Sequence, residues 1–444
     1  MTLDSVRGTT GGPGSGDTDA RPALSRCIDV SPDTFAAEYW GRRALLSPAS
    51  GLHADFSDLF SASAVDELVR ERGLRTPFIR MAHEGSVLPP ASFTASGGFG
   101  AEVGDQVSSE KVLAEFAAGA TIVLQGLHRV WPPLIDFTRR LVDDIGHPAQ
   151  VNAYVTPASS RGFDPHYDVH DVFVLQIAGE KHWRIHAPVH PDPLRDQPWT
   201  DHKAAVAEAA LGEPVIDAVL RPGDALYLPR GWIHSATALG GTSVHLTVGM
   251  SAYTRADVVR ALVSTLGAHE SLRESLPLGV DWADAEAVRP VVEQVVGEMV
   301  AALTGGGTRV SPAADSGAGA GADAQDALVS RTLARRFAEA TRPEPVAPLA
   351  TIDAIASLGA ASVVRWRGSL AARVESLPGD DGASGKVRII TPSKSLTLPG
   401  ETEAAVRRLH EGGPVPLAEL PGLDDADAVV VVRRLLREGI LVPA

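Results

Sequence analysis

Between residues 151 and 252, apolar and polar positions alternate in short runs, at 172–177, 183–185, 225–228 and 243–248, separated by Gly and Pro. Alternation of this kind puts one face of each run into a core and marks half-buried strands. Repeated short strands at this spacing predict a β-barrel or sandwich rather than βαβ units. After Thr254 the period changes. Thr254 and Asp257 form a capping-box-like start before Val258, Val259, Leu262, Val263 and Leu266, and a second helical pattern covers 287–303 with Pro290 near its start.

Elsewhere the pattern is more mixed. Ser31-Pro32-Asp33-Thr34 ahead of Phe35, Tyr39 and Trp40 predicts a helix start and the onset of order. Residues 1–22 are poor in apolar side chains and are expected to be disordered, and 305–324, rich in Gly, Ala, Ser and Asp, reads as a linker. In the last hundred residues, a helix near 353–358 precedes strands at 362–367, 387–391 and 395–398. Helices at 401–410 and 425–438 and a short apolar tail follow, an order that suits a winged-helix module.

Composition narrows the functions. Lys and Arg total 40 against 55 Asp and Glu, a formal charge of −15, which argues against a general nucleic-acid or anionic-membrane binder. From Val346 onward basic and acidic residues nearly balance, so the C-terminal module lacks the basic face of a DNA reader. Cys27 is the single cysteine, which rules out an internal disulfide framework and any Cys-rich metal site within one chain. No secretory signal and no membrane-length apolar run is evident, so a cytoplasmic protein is expected.

Histidine carries the chemistry. Eight of the fourteen fall between His166 and His245. His166 and Asp168, two apart on a strand, would project to one side. A turn built on Pro229 and Gly231 would bring His234 back to them. Two imidazoles and one carboxylate make the facial triad of non-haem Fe(II) oxygenases, with coordination positions left open. His182 and His186, four apart, alternate with Trp183 and Ile185 as a strand does, and so are not read as a metal pair. His170 lies too far along the chain to join the triad, and His245 is read as a packed or supporting imidazole.

The spacing Gly223-x5-Pro229-x-Gly231-x2-His234 resembles the second cupin motif, and His166-x-Asp168 with Gly179 resembles the first. The stretch from Tyr154 to Met250, including 165–176 and 179–184, resembles the JmjC-type ribosomal oxygenases, bacterial-type members included. That resemblance implies a mainly β fold with α: a cupin/JmjC double-stranded β-helix over 23–253, a helical dimerisation region over 254–303, a flexible linker over 304–326, and a helix plus a winged-helix-like domain over 327–444. It implies a peptidyl hydroxylase using Fe(II), 2-oxoglutarate and O2, with no catalytic residue beyond the ligands His166, Asp168 and His234. Lys181 then matches the basic residue for the distal carboxylate of 2-oxoglutarate, Tyr154 and Thr247 are hydroxyls at the co-substrate site, and Asn152 lines the pocket. Arg184 is expected at the entrance. Where relatives often carry Ser two residues beyond that Thr, this chain has Gly249. The implied partners are a protein or peptide substrate, with a ribosomal protein favoured for hydroxylation at an Arg or His β-carbon, and a second copy of the chain. Neither DNA nor membrane is expected. Open alternatives are a hydroxylase of a ribosomally made peptide product, a lysine demethylase, and a non-enzymatic cupin/winged-helix sensor.

Overall fold

The computed structural model describes residues 21–83, 85–158, 164–304, 322–379 and 385–444. It divides into two units, one holding residues up to 146 together with 150–249, the other 147–149 together with 250–444.

The first unit is built on a nine-stranded sheet. Its strands are β1 (Leu45–Ser47), β2 (Ile79–His83), β3 (Ser86–Val87), β6 (Thr121–Leu124), β7 (Ala149–Thr156), β8 (Asp171–His186), β9 (Ile216–Leu220), β10 (Ala225–Leu228) and β11 (Ile233–Met250). A short separate pair, β4 (Thr94–Ala95) and β5 (Gln106–Val107), lies apart from it. The spatial order is β1-β10-β8-β11-β7-β6-β2-β3, with β9 on β8. Strands remote in sequence therefore become neighbours, and side chains from β2, β6, β7, β8 and β11 share one interior. The register Arg80–Val123–Tyr154 across β2, β6 and β7 is one such row.

The expected runs 172–177 and 183–185 form a single strand, β8. Gly179 adopts φ +64°, so the chain bends there and continues instead of ending. A Cβ at that position would sit 2.2 Å from the Thr242 carbonyl oxygen, so only glycine lets β11 approach so closely. Order also begins earlier than Ser31. A one-turn helix, Pro22–Ser25, buries Ala23 and Leu24, and the Asp144 carboxylate accepts from both of their backbone N–H groups. Ser31 does cap a turn, its Oγ accepting from Thr34 N at 3.1 Å, and the chain then runs on as a wider helical turn over Phe35–Tyr39.

In the second unit Thr254 and Asp257 make the expected capping box for the helix Arg255–Thr265. The helix Ala285–Leu303 contains Pro290, and the helix Ala322–Ala340 starts inside the stretch read as a linker. Residues 1–20 and 305–321, which carry most of the expected disorder and linker, lie outside the described residues. Farther on come helices Pro348–Ala356, Glu403–His410 and Asp425–Arg437, with two three-stranded sheets. One joins β12 (Val363–Trp366), β16 (Val415–Pro416) and β17 (Leu441–Pro443). The other joins β13 (Arg373–Leu377), β14 (Lys386–Ile390) and β15 (Ser395–Pro399). The sequence reading had no counterpart for β13, whose half-exposed residues show no clean alternation. Val387, Ile389, Val406, Leu409, Val432 and Leu435 close the core of this region.

Candidate metal and co-substrate site

His166, Asp168 and His234 come together, with one ligand atom from each lying within 4.8 Å of the others. Among the described residues this is the one cluster of three or more such groups. The stretch around His166 is not a regular strand. It makes a single bridge to β11, in which His166 N–H donates to the His234 carbonyl at 3.2 Å and His234 N–H donates back to the His166 carbonyl at 2.8 Å. The turn before β11 is fixed from the same side, since Gly231 N–H donates to the Asp168 carbonyl at 3.0 Å. Gly231 has φ +86°, and a Cβ there would meet the His190 carbonyl oxygen at 2.7 Å.

Both imidazoles are held in a ligating orientation. His166 Nδ1 pairs with the Asp164 carbonyl at 2.7 Å and His234 Nδ1 with the Trp232 carbonyl at 3.0 Å. Holding Nδ1 to a carbonyl aims each Nε2 toward the Asp168 carboxylate and the shared ligand cluster. Burial, then the neighbouring His166, pushes His234 down to about 4, so its imidazole is neutral. Burial alone would raise the Asp168 carboxyl, but His170, His234 and His166 outweigh it and hold it below the usual range. A neutral His234 beside an ionised Asp168 carboxylate suits a divalent ion. The donor set therefore fits iron(II).

The triad opens into a cavity of about 480 Å³. In its wall lies Lys181, 3% exposed, whose Nζ donates to Thr156 Oγ1 at 3.2 Å. Burial pushes this ammonium down to about 7, and among the described residues no carboxylate offsets it. A buried cation without a counter-ion is costly, and an anionic ligand would relieve that cost. Thr121 Oγ1 lies 3.5 Å from Thr156 Oγ1, adding a second hydroxyl. A dicarboxylate with a metal-binding keto-acid end fits this lining.

Tyr154 and Thr247 also line the cavity. The Tyr154 hydroxyl is raised chiefly by burial and is hydrogen-bonded by Arg80, another lining residue. Asn152 and Arg184 do not line it. The Asn152 side chain accepts from Gly126 N–H at 3.0 Å and pins that turn. On β8, Lys181 and Trp183 face inward, so Arg184, of opposite parity, points away and pairs with Asp217 at 3.7 Å. His182 shares that outer side and the same Asp217 partner. His170 packs against Gly249, where a Cβ would lie 2.5 Å from the imidazole. Thr156, Thr121, Arg80, Trp199 and Lys203 line the cavity without having been anticipated. Only Thr156 carried a usable signal, standing two residues after Tyr154 on the same strand face.

Residues 133–258 match the family described as JmjC domain. That stretch resembles a JmjC domain, and the first unit has the matching cupin-like fold with mixed strand and helix content. The chain is also similar to curated proteins of two printed descriptions. It is 33% identical over 227 residues to Ribosomal oxygenase 1 of Rattus norvegicus, covering 51% of this chain and 36% of that protein. It is 28% identical over 294 residues to the bifunctional lysine-specific demethylase and histidyl-hydroxylase NO66 of Aedes aegypti, covering 60% and 42% respectively. The chain thus spans well under half the length of these two relatives. The crystal structure of Escherichia coli ribosomal oxygenase YcfD aligns at 16% identity and a TM-score of 0.48, over 94% of this chain and 98% of that one.

Proposed function

We propose that this protein is an Fe(II)- and 2-oxoglutarate-dependent oxygenase that hydroxylates a side chain of a ribosomal protein, at an Arg or His β-carbon. The observation that carries the reading is a two-histidine, one-carboxylate triad opening into the same cavity as a buried lysine that no carboxylate offsets among the described residues. His166, Asp168 and His234 would hold the iron, and Lys181 with Thr156 would hold the distal carboxylate of the co-substrate. When bound, iron and 2-oxoglutarate supply the oxygen activation that a C–H bond requires. The protein supplies geometry and a dry wall. Val172, Val174, Trp183 and Leu228 exclude water, and the backbone bridge between His166 and His234 fixes the ligand spacing.

The apolar faces of helices Arg255–Thr265 and Ala285–Leu303 support a homodimer. Val259, Val263, Val292, Val296 and Val300 are about half exposed, which is unfavourable until a second copy covers them. The C-terminal helices and sheets support the winged-helix reading. Among the described residues no helix is long and apolar enough to cross a membrane.

The test is Fe(II)- and O2-dependent succinate formation with total ribosomal protein, comparing wild type with Asp168→Ala. Succinate that is lost in the variant, with a +16 Da peptide, is the expected result. Formaldehyde release without retained oxygen would replace hydroxylation by demethylation. Failure to bind iron and 2-oxoglutarate would leave a non-enzymatic sensor.

A further inference from the structure

His245, on β11 two residues before Thr247, lines the cavity and is 3% exposed. Its imidazole is clamped from two sides. Tyr154 lies flat on it, with ring centroids 5.2 Å apart and planes 5° from parallel, and Trp183 meets it edge-on at 5.4 Å and 85°. The clamp is itself braced, because Arg80 hydrogen-bonds Tyr154 and Lys181 Nζ stands 5.8 Å from the Trp183 ring. The ring therefore cannot turn to find a new partner. Among the described residues its Nδ1, sealed in the wall, has no hydrogen-bond partner, and neither has the Trp183 indole N–H.

Buried polar atoms without partners are uncommon and costly, and a phenylalanine would fill the same slot between the rings without that cost. Burial, then the neighbouring Lys181 and His234, holds the imidazole well below its ordinary pKa, so the ring is neutral. A neutral imidazole keeps its one proton on the nitrogen that can use it. With Nδ1 shut away, that nitrogen is Nε2, the one able to meet a ligand in the cavity.

We propose that His245, as the Nε2–H tautomer held between Tyr154 and Trp183, is a hydrogen-bond donor that positions 2-oxoglutarate in this cavity. The proposal rests on the oxygenase reading above. His245 adds direction where Lys181 supplies charge.

The test is anaerobic calorimetry of 2-oxoglutarate binding to the Mn(II)-loaded full chain, with Mn(II) affinity and thermal melting measured separately. His245→Phe keeps the ring stack and removes the donor. It is expected to weaken 2-oxoglutarate about 10- to 100-fold, the range for a hydrogen bond to a charged group, while Mn(II) affinity stays within about 3-fold. His245→Gln, which restores an N–H, is expected to recover most of the loss. In turnover the Phe variant should raise the KM for 2-oxoglutarate more than it lowers kcat. A folded Phe variant that binds 2-oxoglutarate as wild type does would overturn the proposal, as would equal losses in the Phe and Gln variants. If the Phe variant fails to fold, wild type labelled with 15N-histidine and loaded with Zn(II) decides. A neutral Nε2–H signal that shifts on adding 2-oxoglutarate supports the role, and an unmoved one refutes it. Wild type that binds Mn(II) but no 2-oxoglutarate would remove the oxygenase reading itself, a different result from a wild type that binds with His245 indifferent.

Discussion

Replacing Lys181 by methionine should make the empty protein more stable and useless at once. Met keeps most of the side-chain volume and removes the charge. Burial moves the ammonium from 10.5 to about 7, a differential solvation worth about 5 kcal/mol, of which about 4 is felt at pH 7. The lost hydrogen bond to Thr156 returns about 1 kcal/mol, leaving a net gain of about 3. At 2–4 °C per kcal/mol for a unit of this size, the variant should melt roughly 6–12 °C higher at pH 7 without ligand. The sign with pH follows from linkage. Between about 7 and 10.5 the unfolded lysine binds more protons than the folded one, so wild-type stability rises with pH through that window. The advantage of Lys181→Met should therefore shrink to about 1 kcal/mol or less by pH 10. Saturating Mn(II) and 2-oxoglutarate should stabilise wild type further by binding, and the variant only through the metal. Differential scanning calorimetry across pH 7 to 10, with and without ligands, measures all of this. A variant that melts below wild type at pH 7 in the absence of ligand, although well folded, would refute the reasoning and show that the lysine is paired or hydrated in solution.

Asp168→Ala should lower Mn(II) affinity by more than about 100-fold, read by electron paramagnetic resonance, while circular dichroism stays unchanged, because the His166–His234 bridge is a backbone contact. Thr156→Val should weaken 2-oxoglutarate roughly 5- to 30-fold and leave metal affinity alone, and an equal loss of both would contradict the separate placement of the two subsites. Gly231→Ala places a Cβ against the His190 carbonyl in a left-handed backbone, so a loss of at least about 2 kcal/mol in denaturant melts is expected. Val296→Glu, on the half-exposed face of Ala285–Leu303, should halve the mass seen by light scattering; a wild type that is already monomeric would remove the dimer.

The triad was legible because its chemistry lies in two short segments whose spacing survives folding: His166-x-Asp168, and the Pro229–Gly231 turn before His234. Lys181 was legible by its offset from those segments, although it lies inside a bent strand rather than beside a turn. Its partners were not. Thr121 and Arg80 reach the cavity because β6 and β2 are stacked beside β7, a pairing between segments far apart in the chain with no motif to announce it. Arg184, of opposite parity to Lys181 and Trp183 on β8, points outward. The alternation already read at 182–186 put Arg184 on the side opposite Trp183, but which side faces the cavity was fixed only by Lys181 and Trp183 lining it. The helix Pro22–Ser25 was hidden because its anchor, Asp144, stands more than a hundred residues away.

The reciprocal backbone bridge between His166 and His234 has a bearing on how the protein is made. Where ligands are gathered only by the ion, as in a zinc finger, synthesis without metal yields an unfolded chain for proteases to clear. Here the two histidine-bearing segments are fastened to one another by their own peptide groups, and the imidazoles are aimed by carbonyls rather than by an ion. A cell starved of iron could thus accumulate this protein intact and keep it in reserve. Activity would then follow the iron supply within the time of metal binding, with no need for new translation, and the empty pool would be open to whichever competing divalent ion reached it first.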